Sequence, residues 1–322
     1  PMAQFLFAGA HLLAPDSLVG LKIMLLIFDF LTGLVLLQWI REKGMDPRWS
    51  ILYFLNPLVL KEIANSAHLD SIVVFFSFAA VYLFSQRQKI LLSWICLSIA
   101  TATKLYPLCF LPFFIKLDPR WRRHLGYYCI CLALMYVPFL SAGWNLLGGT
   151  QAYAKYWIFN AGIFQITTTA LNFILQKSDL FLKSPFLMEG LKNDYPAKLL
   201  LGLVFLICLW RFLKRLKKAE DLPKVCLWTL GLMLLLSPVV DAWYVLWILP
   251  FACLTKEVPW LAFSYLVVMS YSWFFSKEFA PFFRLGEYAA FFSIYIWWVL
   301  HQRQRLILNT QKVSHHIGHV DQ

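Results

Sequence analysis

Along the chain, apolar runs of about 15 to 22 residues alternate with short polar interruptions. A hydrocarbon core of about 30 Å takes roughly 20 apolar residues in a helix, so the pattern predicts crossing helices in series. The expected segments are residues 19–40, 50–64, 69–85, 90–103, 105–115, 125–140, 197–212, 225–239, 243–254, 259–275 and 287–300. The fold class expected is all-α, a polytopic transmembrane helical bundle of about 11 membrane segments with several short outer hairpins.

Composition supports this pattern. Of 322 residues, 60% are hydrophobic and only 14% charged, against roughly 25% charged in an ordinary soluble domain. A soluble enzyme, a secreted disulfide domain and a disordered tail are excluded. The net charge of +12 does not point to nucleic acid, which needs a basic stripe on a soluble face. Six clusters, Arg41/Lys43/Arg48, Arg87/Lys89, Lys116/Arg120/Arg122/Arg123, Arg211/Lys214/Arg215/Lys217/Lys218/Lys224, Lys256 and Arg303/Arg305/Lys312, hold 19 of the 29 basic residues. All six fall on one side of the expected crossings, which the positive-inside rule makes cytoplasmic. The seven cysteines lie inside apolar segments without metal-type spacing. No phosphate-cradling Gly-rich loop and no His-Glu-x-x-His motif occurs.

Several segments are short. A helix of 14 residues, such as 90–103, covers about 21 Å and cannot span the full core. The outer turns Asn56 to Asp70, Thr101 to Pro107 and Ser237 to Tyr244 therefore lie below the outer membrane surface. Non-helical backbone at that depth is tolerated only when buried in protein or lining a wet cavity, so the three turns are expected to converge on one outward-facing cavity. Residues 141–198 form a long external section, with 161–175 and 180–187 expected either as interfacial helices over the cavity or, for one of them, as a further crossing pair. Residues 302–322, with His315, His316 and His319, read as a mobile cytoplasmic tail.

An ionisable group inside a membrane is costly unless paired or hydrated, which makes each one a candidate. If residues 58–69 are helical, Lys61, Asn65 and His68 share one face, and Glu62 and Ser66 a neighbouring one. The pattern suits a sugar- or phosphate-binding patch with His68 and Asp70 directed into the cavity. The plainer reading makes Ser66 a helix cap and Asp70 a first-turn carboxylate. Lys104, beside Tyr106, needs an anion, either a lipid phosphate or a carboxylate such as Asp70 or Asp241. Asp241 with Trp243 and Tyr244 suits stacking on a sugar ring. Asp29, with Thr32 and Gly33 nearby, reads as a structural helix–helix hydrogen bond. Tyr153, Lys155, Tyr156, Trp157 and Asn160 form an aromatic–basic cluster, either a lid or an interfacial anchor.

Five motifs in order carry a family resemblance: Pro1-Met2-Ala3-Gln4 before an apolar helix, Asn56-Pro57-Leu58 with His68-Leu69-Asp70, Ala102-Thr103-Lys104 with Pro107, Tyr156 to Asn160, and Ser237-Pro238 with Trp243-Tyr244. Together they resemble the GT-C membrane glycosyltransferases, in particular glycosyltransferase family 87 and the polyprenyl-phosphate-mannose-dependent mannosyltransferases. The resemblance implies transfer of a hexose, foremost mannose, from a polyprenyl-phosphate-sugar donor to a lipid-linked or cell-envelope acceptor, with inversion, on the extracytoplasmic side of a bacterial inner or plasma membrane. It also implies a catalytic acid in a first external loop after a first helix, placing the base upstream of Pro1. Residues 1–322 are then a single integral-membrane domain lacking that helix and loop. The family pattern favours His-Pro before Trp-Tyr, where this chain has Asp241-Ala242.

Lys61, Glu62, His68, Asp70, Lys104, Tyr106, Asn160, Asp241, Trp243 and Tyr244 are thus the expected substrate-binding residues. Lys104 is the leading ligand for the lipid phosphate. The expected partners are the lipid-linked donor, a glycan or glycolipid acceptor and membrane lipids; neither a metal nor another cofactor is assigned. Alternatives are a transporter or flippase of lipid-linked sugars, a truncated inactive relic, or a polymerase using pyrophosphate donors. Clustered external arginines would favour the last, and only Arg284 stands there.

Overall fold

The computed structural model describes residues 1–176, 184–192 and 194–318. The described chain is helical with short connectors, and its only β-type pairing is one isolated parallel bridge between Phe159 and Val239. Four helical stretches are long and apolar enough to cross a membrane: Leu18–Glu42, Trp121–Leu146, Tyr195–Arg215 and Val258–Phe275. In the apolar windows of Trp121–Leu146 and Tyr195–Arg215 only 6% and 11% of residues are buried inside the protein. Side chains such as Ile130, Leu134, Leu199, Leu203 and Trp210 face outward. Contiguous exposed apolar surface of this kind belongs against lipid.

The Leu18–Glu42 helix starts at Ser17, whose hydroxyl accepts from the Gly20 N–H at 3.1 Å, an N-cap that satisfies one of the free amides of the first turn. Its Asp29 accepts from the Tyr53 hydroxyl at 2.7 Å, the structural contact expected for it. The neighbouring Gly33 lets the broken 50–65 segment approach closely, since a Cβ there would stand 2.2 Å from the Phe54 ring. That segment is not one crossing helix. It is cut into Ile51–Phe54, Pro57–Val59 and a π-helical turn over Leu60–Asn65. Pro57 starts a new helix because it cannot supply an amide hydrogen to the preceding one, and the Asn56 side chain caps the new start through the Leu58 N–H at 2.9 Å.

The hairpin Asp70–Ser85 and Ile90–Thr103 matches the expected 69–85 and 90–103 almost residue for residue. With Leu222–Leu236 and the Leu249–Thr255 helix it encloses the main core, where Trp39, Trp94, Trp260, Phe78, Phe110 and Phe251 are buried. The basic clusters gather at one end of this bundle. There Arg87 pairs with Glu42, Lys224 with Glu257 at 3.1 Å, and Lys256 lies over the Trp49 ring. Asp118 accepts from Trp94 Nε1 at 2.9 Å and contacts His124 Nδ1 at 2.6 Å, and Lys116 donates to the Leu213 carbonyl. The N-terminus of Asp70–Ser85 and the C-termini of Ile90–Thr103 and Leu222–Leu236 lie at the other end, where the candidate site is.

Residues 302–318 of the expected tail are helical, as the end of Ala280–Gly318, and His319 lies outside the described residues. Residues 121–136 continue through a 3-10 stretch to Leu147, carrying helix into the section expected to be external from 141. Of the two stretches expected as helices in that section, 161–175 is helical over Ile163–Leu175, residues 180–183 lie outside the described residues, and a separate helix covers Pro185–Lys192.

Candidate functional site

Lys104 ends the Ile90–Thr103 helix in an extended conformation, which aims its side chain across the hairpin at the first residue of Asp70–Ser85. Its Nζ donates to both oxygens of Asp70, at 2.7 and 2.9 Å. Trp247 Nε1 donates to Asp70 Oδ1 at 2.6 Å. Asp70 is 1% exposed, so the carboxylate has exchanged water for three charge-assisted bonds, the condition under which a buried ion is tolerated. Of the two anions weighed for Lys104, the carboxylate Asp70 is the partner present. Asp70 occupies the first turn of its helix, where the dipole also favours a negative charge.

An aromatic stack encloses the pair. Tyr106 lies on Trp247 at 4.1 Å between ring centroids, and Tyr244 on its other side at 4.3 Å. Lys104 Nζ stands 4.8 Å from the Tyr244 ring and 5.3 Å from that of Trp247, distances at which a cation is attracted to the ring face. Ala242–Trp247 is a 3-10 helix, in which i and i+3 side chains eclipse. This eclipsing places Tyr244 against Trp247.

A second cluster adjoins the first. The π-turn bonds Ser66 N–H to the Lys61 carbonyl and His68 N–H to the Glu62 carbonyl, both at 3.0 Å, and Ala67 takes a φ of 58°. The expected faces of an α-helix over 58–69 are therefore not formed. Glu62 turns wholly inward and meets Lys61 at 3.3 Å and His68 Nε2 at 3.1 Å. The His68 contact is an ion pair when the ring is protonated rather than a directed hydrogen bond, since Glu62 Oε2 has no hydrogen-bond partner. His68 stacks on Trp243 at 4.1 Å, with 17° between the planes. Ser66 does not cap the next helix; its hydroxyl accepts from Lys61 Nζ at 3.1 Å. Asn65 offers its carbonyl to Lys22 Nζ at 2.7 Å.

The stretch from Tyr153 to Asn160 is pinned to this end. Phe159 N–H donates to the Pro238 carbonyl at 3.0 Å and Val240 N–H to the Phe159 carbonyl at 2.9 Å. The Tyr153 and Tyr244 hydroxyls share a hydrogen bond at 2.9 Å. Burial raises the Tyr153 phenol to about 12, so it stays protonated at neutral pH. Asp241, 5% exposed, is raised to about 6, first by desolvation; the Lys104 charge and a Tyr244 hydrogen bond oppose this shift. Asn160 adopts a φ of 48°, in the left-handed region that Asn tolerates better than most residues. Its side-chain amide donates to both Glu287 oxygens at 3.0 and 3.2 Å, and its backbone carbonyl accepts from the Tyr288 hydroxyl at 2.9 Å.

The structure thus gathers Asp70, Lys104, Tyr106 and Tyr244 in one network, and Lys61, Glu62, His68 and Trp243 in the adjoining one. Asp241 lies between them, and Asn160 is tied to the wall formed by Glu287. Sequence reasoning did not single out Trp247, Tyr271 or Glu287. The i, i+3 spacing from Tyr244 would have suggested Trp247, and an acid inside an expected apolar crossing should have flagged Glu287. Tyr271, whose ring receives Lys61 at 4.6 Å, carried no such signal. Among the described residues, no three His, Cys, Asp or Glu side chains converge to hold a metal ion.

No curated protein and no solved structure matches the chain. Residues 8–118 match the family model described as "Alpha-(1->6)-mannopyranosyltransferase, N-terminal domain". The match covers about a third of the 322 residues and contains the Asn56–Asp70 turn, Lys104 and Tyr106. It supports mannosyl transfer as the activity, and the helices able to cross a membrane accord with a membrane-associated enzyme.

Proposed function

We propose that the chain is an integral-membrane mannosyltransferase that takes mannose from a polyprenyl-phosphate donor and joins it, with inversion, to a lipid-linked or cell-envelope hydroxyl on the extracytoplasmic side. The observation that carries this reading is the convergence of the Asn56–Asp70, Thr101–Pro107 and Ser237–Tyr244 turns on one polar and aromatic centre, two of them inside the matched segment. The basic clusters at the opposite end agree with an outward-facing centre.

In such a reaction the acceptor oxygen forms a bond to the anomeric carbon as the bond to the lipid phosphate breaks. The acceptor proton passes to a carboxylate, and cations stabilise the departing phosphate. We assign the sugar to the wall formed by His68, Trp243, Tyr244 and Asp241, with ring faces for stacking and oxygens for its hydroxyls. The Lys104–Asp70–Trp247 network holds Tyr106 and Tyr244 in register beneath it. Lys61 and Glu62 keep the His68 ring against Trp243.

The test is transfer of radiolabelled mannose from polyprenyl-phosphate-mannose in membranes containing the full-length gene product. Transfer should occur and should fall on the order of 100-fold or more in Trp243→Ala, which removes the stacking face at the sugar wall. Absence of transfer from this donor in well-folded wild-type protein would overturn the proposal.

A further inference from the structure

Two cavities open beside the site, each with Arg284 in its wall. One, of about 230 Å³, is lined by Asn160, Gln165, Ser270, Ser272, Trp273 and Arg284, among others. The second, of about 240 Å³, shares Gln165, Pro281 and Arg284 but is otherwise apolar, with Ile166, Leu285, Tyr288 and Phe292. Arg284 is the only charged residue in either wall. Among the described residues its guanidinium makes no hydrogen bond or ion pair. Glu287 lies one turn along, but its carboxylate bonds Asn160 instead. The Ser270 and Ser272 hydroxyls are buried without a hydrogen-bond partner, and Ser270 is 5% exposed.

A buried donor left without a partner is costly, and Arg284, half-buried beside the outward-facing Phe282, Phe283 and Leu285, acts on Glu287 only through its charge and not by a direct contact. An arginine without a hydrogen-bonded partner, two unpartnered hydroxyls and an amide on one side, with an apolar trough on the other, describe the complement of an amphiphile with an oxyanion head. Lys104 is less suited to this task, because Asp70 already neutralises it. Lys61 is likewise paired with Glu62.

We propose that the Arg284 cavity binds the phosphate of a lipid monophosphate, with Arg284 and the Ser270 and Ser272 hydroxyls on the phosphate oxygens and the chain in the apolar trough. Arginine's planar fork matches phosphate in two parallel bonds. The site moves the donor phosphate of the transfer reading from Lys104 to Arg284, and rests on that reading only for the prenyl identity of the chain.

Binding without turnover separates the two ideas. Purified full-length protein in nanodiscs would be titrated with polyprenyl monophosphate, the matching polyprenol and inorganic phosphate, with bound lipid counted by native mass spectrometry. Polyprenyl monophosphate should bind, and the polyprenol at least about 10-fold more weakly. Arg284→Gln should lose about 10-fold or more in affinity, Arg284→Lys less, and the Ser270→Ala/Ser272→Ala double variant an intermediate amount. Each variant's thermal transition would be compared with wild type, and Arg284→Lys keeps the test decisive if Arg284→Gln does not fold. Equal binding of phosphate and polyprenol, or unchanged binding in Arg284→Gln, overturns the site. Inorganic phosphate binding as tightly as the lipid overturns the apolar trough and leaves a free-phosphate site. Lipid binding that depends on Arg284 in a protein with no mannosyl transfer would keep the site and refute the transfer reading alone.

Discussion

The Asp70–Lys104 pair permits a quantitative test because its two members are buried to different extents. The carboxylate is 1% exposed and the lysine side chain 25%. Lys104→Met removes two of the three hydrogen bonds to Asp70, at 2.7 and 2.9 Å, leaving that from Trp247 Nε1. An uncompensated buried charge costs about 3–5 kcal/mol. Lys104→Met should therefore destabilise by about 3–5 kcal/mol at neutral pH. Asp70→Asn leaves an oxygen for Trp247 and a lysine that can turn toward water, so its cost should be about 1–2 kcal/mol. The double variant should also cost about 1–2 kcal/mol, giving a coupling on the order of 3 kcal/mol. Reversible unfolding in mixed micelles, followed by the fluorescence of the 14 tryptophans, would measure all four proteins. Single costs that add, or a larger cost for Asp70→Asn than for Lys104→Met, would refute the reasoning.

Three further outcomes are expected. Trp247→Phe keeps the stack on Tyr106 and Tyr244 but loses the donor to Asp70; it should cost about 1.5–3 kcal/mol in the same unfolding assay. Asn160→Asp sets a second carboxylate against buried Glu287 in place of an amide at 3.0 Å; thermal melts should show a loss that grows with pH, and a loss independent of pH would exclude like-charge repulsion as its cause. Burial raises the Asp241 carboxyl to about 6, so the folded chain holds that proton to higher pH than the unfolded chain does. The associated stability is full below the unfolded value and is lost as pH rises through about 6. Asp241→Asn should remove this loss, raising the thermal transition relative to wild type by more at pH 7.5 than at pH 4, and an equal difference at both would count against it.

The helices were legible where the apolar run is uninterrupted: residues 90–103 were placed to the residue, and 19–40 to within two at either end, whereas the expected crossing 50–64 is cut at Pro57. The site was legible as a set of polar residues at turns, because a membrane makes such residues conspicuous. Its connectivity was not. Nothing local says that Lys104 meets Asp70, 34 positions away, or that Trp247 reaches the same carboxylate from 177 positions off. The face assigned to Lys61, Asn65 and His68 failed because it assumed 3.6 residues per turn, and the π-turn with Ala67 at positive φ breaks that period. Glu287 was overlooked because its neighbours read as a crossing helix; its partner Asn160 lies 127 positions earlier, in a section with no regular period.

The π-turn over Leu60–Asn65 also bears on which length changes this chain can absorb. Each of its bonds closes over five residues instead of four. Insertions and deletions are ordinarily tolerated between helices, and this segment would look like such a place. Removing one residue here would instead let the backbone relax into an α-turn and rotate the residues beyond by about 100°. Glu62 would lose its alignment with His68, and His68 its seat on Trp243. A relative one residue shorter at this point would therefore need a different arrangement around Trp243, however similar its sequence on either side.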